Sequence, residues 1–142
     1  MIRENTTLMH QTPYLKIHHD HQKNIVIYQW FGKVNDKDSK SGVHTIVDII
    51  KKKKAKSTVA DLTDFRGGTV ETAKWINEVG NRMLADAGVE CMALKIPESA
   101  FGEFSITLAL GSQFPSPFTV EKFTSWDDIY RWIEQQRITQ QV

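Results

Sequence analysis

Cysteine is almost absent: Cys91 stands alone in 142 residues. No internal disulfide can form, and a reducing compartment suits such a chain. No apolar run approaches the ~20 residues that a membrane-spanning helix needs. The opening residues, MIRENTTLMHQTP, hold no apolar core of signal-peptide length. These absences lead to the expectation of a cytoplasmic protein with no stable membrane insertion. Net charge is nearly absent as well, at +1. Such a balance gives no long-range steering, so no nucleic-acid partner is expected. Internal repeats and low-complexity linkers are missing too.

What is present is an ordinary globular composition, 40% hydrophobic and 25% charged. The length fits one domain, able to bury roughly two thirds of its unfolded surface. Residues 1–12 are polar and read as a flexible lead-in, with a single domain over 13–142. Tyr14–His19 alternates like a half-buried strand, and Asn24–Phe31 (NIVIYQWF) is rich in β-branched and aromatic residues. The short polar turn between them predicts an antiparallel hairpin. Gly32 is expected to end the second strand.

Val43, Ile46, Val47 and Ile50 form a helical stripe within about Asp38–Ala55. Asp36 and Asp38 near its start and Lys51–Lys54 at its end suit the helix dipole. The lysine run therefore reads as the solvated end of a helix. Ser57–Thr63 predicts a strand and Asp64–Gly68 a loop. A helix from about Thr69 to Ala87 comes next, with Ile76, Val79, Gly80, Met83 and Ala87 on its buried face and Gly88 as a left-handed cap. Cys91–Ile96 reads as a fully covered strand. A short helix is expected in Ser99–Leu110, a last strand over Phe118–Phe123, and a last helix opened by Ser125 and Asp128. The fold class is therefore α/β: one mixed sheet of about five strands, its hairpin antiparallel and its later strands parallel, with about four helices. Parallel crossovers place the ends of Ser57–Thr63 and Cys91–Ile96 on one rim, where open α/β sheets bind ligands.

Several short words in this order resemble the SpoIIAA-like STAS family (sulphate transporter and anti-sigma factor antagonist domains). They are Trp30-Phe31-Gly32 closing the hairpin, Asp61 before a loop and long helix, Ala87-Gly88-Val89 entering an apolar strand, and Phe123 to Asp128 leading to a helix with Trp132. The resemblance implies a regulatory module that binds a protein partner at the loop after the strand carrying Asp61. In the family's anti-sigma factor antagonists, a serine near that helix start is phosphorylated. This chain reads Asp64-Phe65-Arg66-Gly67-Gly68-Thr69 there, with no serine, so the resemblance does not carry the phosphorylation switch across. Some SpoIIAA-like proteins look closer to lipid carriers of the Sec14 type.

The rim segment Asp64, Phe65, Arg66, Gly67, Gly68 and Thr69 is the candidate binding site. Its glycines permit close approach, and a helix N-terminus beside Arg66 would receive an anion. The same residues would also make a plain tight turn and cap. Phe101, Phe104, Leu108 and Phe118 are candidate walls of an apolar pocket for a small lipid-like ligand, or simply core. His18, His19 and His21 with Asp20 cannot converge from one strand, so a solvated strand end is expected and no metal. No cofactor is expected. Cys91 lies in an apolar strand, Asp61 has no neighbouring base, and no catalytic residue is assigned. The edge strand Tyr14–His19 would allow pairing across a two-fold axis, leaving a homodimer open.

Overall fold

The computed structural model describes residues 5–100 and 116–140. Strands β1 (Thr6–Gln11), β2 (Leu15–Asp20) and β3 (Ile25–Lys33) lead into helix α1 (Asp36–Lys53) and strand β4 (Ser57–Gly67). Helix α2 (Val70–Trp75) passes through a π-helical turn, Ile76–Gly80, into α3 (Asn81–Asp86). Then come β5 (Cys91–Lys95), a 3-10 turn (Glu98–Ala100), β6 (Thr119–Phe123) and α4 (Trp126–Gln140). The strands form one sheet in chain order. β1, β2 and β3 pair antiparallel, and β3 to β6 pair parallel. This is the mixed α/β sheet that the alternation of elements implies, with one strand more. Most of the helix expected over Ser99–Leu110 lies outside the described residues.

The added strand is β1. The lead-in expected to be loose instead pairs with β2 from Thr6–Asp20 to Gln11–Lys16. Its sequence, TTLMHQ, is too polar to announce a strand; the free edge of β2 supplies the hydrogen bonds that order it. β2 is thereby an inner strand, and the edge proposed for two-fold pairing at Tyr14–His19 is occupied. Gly32 does not end β3 either. It adopts φ +70 and the strand continues to Lys33.

Both faces of the sheet are covered. On one, Leu15, Ile17, Tyr28 and Leu94 pack against Val43, Ile46, Val47 and Ile50 of α1 and against Leu84 of α3. On the other, Ile25, Ile27, Val59 and Ala93 pack against Ile129 and Ile133 of α4. Each fully buried aliphatic side chain contributes about 1.5–3 kcal/mol. The helices are held at their ends as their sequences imply. Asn35 Oδ1 accepts the Asp38 N–H at 2.7 Å, and Lys54 closes α1 in the left-handed region. Ser125 Oγ accepts the Asp128 N–H at 3.4 Å.

α1 lies against the sheet at one glycine. A Cβ on Gly42 would stand 2.5 Å from Trp30 Cη2 and 3.0 Å from Leu15 Cδ2. Helix propensity alone favours alanine over glycine by about 1 kcal/mol. Overpacking costs about 1–3 kcal/mol. Gly42→Ala is therefore expected to lower stability in urea unfolding by up to about 2 kcal/mol, which is that overpacking cost less the propensity gain. A gain in stability would show that α1 does not approach the sheet this closely.

Candidate functional site

The site arises where β4 parts from β5. β4 pairs with β5 only as far as Asp61–Lys95, but with β3 as far as Gly67–Lys33. Its register against β3 shifts between Gln29–Asp61 and Phe31–Asp64, which leaves Leu62 and Thr63 opposite Trp30. An extra residue in a strand bends it and frees backbone groups. Asp61 takes up that freedom. Its Oδ1 accepts the Thr63 N–H at 3.0 Å and the Thr63 hydroxyl at 2.6 Å, while Oδ2 accepts from Gln29 Nε2 at 3.0 Å. Among the described residues, β4 runs beside β3 alone beyond this bulge.

A cleft of about 740 Å³ opens in the space left between the β4 extension and the helix after it. That volume is in the range of small-molecule sites. Met92 and Leu94 of the sheet, Leu62 and Phe65 of the extension, and Ile76 above them give it an apolar lining. Gly67, Gly68, Thr69 and Phe118 also line it, Phe118 being only 8% exposed. Arg66 is the one charged residue of the lining among the described residues. Asp64 is exposed and is not part of it. Phe101, Phe104 and Leu108, expected as pocket walls, lie outside the described residues.

The segment expected as a loop is mostly strand. Asp64, Phe65, Arg66 and Gly67 are the end of β4, with Gly67 at φ +104. Only Gly68 and Thr69 connect it to α2. Thr69 is the N-cap: its Oγ1 accepts the Thr72 N–H at 3.1 Å. The Thr69 and Thr72 hydroxyls are 2.9 Å apart, and Thr72 donates to Asp36 Oδ1 at 2.8 Å. Lys40 stands 3.0 Å from Asp36 Oδ2, and these contacts, Lys40 first and then Thr72, hold the Asp36 carboxyl below its usual range. Arg66 donates to the Phe65 carbonyl at 3.3 Å. Both features read in the sequence as an anion site are thus engaged within the chain.

No protein-family model matches this sequence, and no curated protein matches it. Its structure does have counterparts. An uncharacterized protein of the DUF3478 family from Shewanella loihica PV-4, described as having a SpoIIAA-like fold, superposes with a TM-score of 0.57. The match covers 93% of this chain and 98% of that one at 12% identity. The chain has the SpoIIAA-like fold. The unphosphorylated anti-sigma factor antagonist SpoIIAA itself aligns with a TM-score of 0.51, over 90% of this chain and 97% of its own, also at 12% identity.

Within this SpoIIAA-like fold the remaining candidates are structural. His19 and Asp20 are buried, not solvated as expected: His19 Nε2 is 2.7 Å from Asn24 Oδ1, and Asp20 accepts from the Tyr130 hydroxyl at 2.6 Å. His18 meets Gln29, and burial pulls its pKa down. Among the described residues no group of three or more His, Cys, Asp or Glu is placed to hold a metal. Burial pushes the Cys91 thiol up, and its Sγ contacts Ser57 Oγ at 3.6 Å.

One lining residue escaped the sequence reading. Asn77 lies in the π-turn and lines the cleft. A straight helix would bury Val79, which is instead 40% exposed, while Thr72, Gly80 and Leu84 are buried. The π-turn inserts an extra residue and rotates the rest of the helix by roughly 100°, the angle of one residue in a helix. The sequence carries no local signal for such an insertion.

Proposed function

We propose that this chain is a non-enzymatic binding module of the SpoIIAA-like type, taking a protein partner on the rim formed by Asp64–Thr69 and the first turn of α2. The observation that carries this reading is Val70. It opens α2, is 83% exposed, and continues the apolar lining of the cleft out to the surface. An exposed apolar side chain continuous with an apolar cleft gives a partner a contact point on the rim. The fold supports the same reading, because SpoIIAA is by name an antagonist of another protein, an anti-sigma factor. The non-enzymatic part rests on side chains already engaged: Asp61 in its bulge and Cys91 buried with a raised pKa.

The packing around the rim favours one substitution as its test. Thr69→Glu would remove the cap, which costs about 1 kcal/mol. A side chain on Gly68 would press on the Val34 carbonyl at 3.1 Å. Val70→Asp avoids both, because an acid in the first turn suits the helix dipole. Affinity capture from a lysate of the source cells, with wild type and Val70→Asp side by side, tests the reading. The variant is expected to keep its urea midpoint and lose at least tenfold of the captured partner. Equal capture by both would contradict it.

The size and lining of the cleft favour a second reading, a carrier or sensor of a small apolar or lipid-like ligand. Native mass spectrometry on incubation with a total lipid extract is expected to show a discrete added mass. A bare apo mass throughout would count against it.

A further inference from the structure

Asn77 is the place where the cleft departs from a simple apolar hole. Its Oδ1 is the one buried side-chain polar atom without a hydrogen-bond partner among the described residues. Buried acceptors are nearly always satisfied, and an orphan is costly. This one sits in a π-turn, an interruption found often at functional sites. Asn81 lines the cleft as well. Two other polar groups of the lining are engaged: the Thr72 hydroxyl donates to Asp36, and the Tyr28 hydroxyl lies 3.2 Å from Thr58 Oγ1. Arg66, the one charged residue of the lining among those described, is exposed and contacts a backbone carbonyl.

An apolar space lined by a residue with an unsatisfied amide oxygen, and with no buried cation among its described lining residues, has a definite chemical preference. We propose that the cleft takes an uncharged amphipathic molecule, an apolar chain bearing a hydroxyl, and that the hydroxyl donates its hydrogen bond to Asn77 Oδ1. Asn77 Oδ1 is itself covered in this structure, so the proposal requires the amide to turn about its soft terminal torsion as the hydroxyl enters. An ether of the same size has nothing to donate. An ionised carboxylate would be desolvated with no cation inside to pair with. The inference rests on the reading of the cleft as a ligand site, and adds to it the class of ligand and the residue that selects it.

Isothermal titration with three probes tests it: octan-1-ol, its isomer 1-methoxyheptane, and octanoate. Wild type is expected to bind octan-1-ol about tenfold more tightly than the ether, the effect of one hydrogen bond to an otherwise unsatisfied group. Octanoate is expected to bind more weakly than the alcohol. Asn77→Leu, close in volume and free of the orphan oxygen, is expected to bind alcohol and ether alike while keeping its circular dichroism spectrum. Equal binding of alcohol and ether by wild type would overturn the inference and leave the ligand-site reading intact. So would a preference for octanoate, or an alcohol preference that survives in Asn77→Leu. No binding of any probe to wild type would overturn both.

Discussion

The carboxylate of Asp61 holds the bulge on which the rim depends. A strand paired on both sides would run straight and fill the sheet to its end. Here two residues of β4 stand opposite one of β3, and the backbone amide of Thr63 turns to Asp61 instead of to a neighbouring strand. Gln29 from β3 ties down the other carboxylate oxygen. β4 can then extend six residues past its last pair with β5, through Leu62 to Gly67, with a partner on one side only among the described residues. The open side becomes the wall of the cleft, and the length of the extension sets where α2 begins.

The helix that roofs the cleft is adjusted to that position. Thr69 caps it, and Thr72 ties it to Asp36 at the start of α1, so the N-termini of two helices are joined through side chains. α1 is fixed in turn by the contact of Gly42 with Trp30, itself a lining residue. The π-turn turns Asn77 toward the cleft and Gly80 toward Val43. The rim is therefore part of the packed body: strand, caps and helix contacts determine its shape together.

Much of this was legible in the sequence because it rests on local pattern. The alternation in β2, β3 and β5, the stripe of α1 and the cap at Ser125 each arise from side chains within one element. Three features were not, and each depends on a partner distant in sequence. β1 is polar and exists because β2 has an edge to offer. The end of β4 has the composition of a turn, Asp-Phe-Arg-Gly-Gly, yet Phe31–Lys33 of β3 draw it into the sheet. The π-turn comes from packing and leaves no periodic trace. Phe65, Arg66, Gly67, Gly68, Thr69 and Phe118 line the cleft, Asp64 turns to solvent, and Asn77 has no signal in the sequence.

β4 leaves β5 at Asp61, and an apolar cleft opens between its extension and α2. Xenon enters apolar cavities without needing any specific polar group. Two-dimensional amide NMR of the isotope-labelled protein under xenon pressure tests this opening most directly. Progressive shifts are expected at Leu62, Phe65, Ile76, Leu94 and Phe118, with Ile129 and Ile133 on the opposite face unmoved. Shifts confined to the α4 face, or none at all, would contradict it.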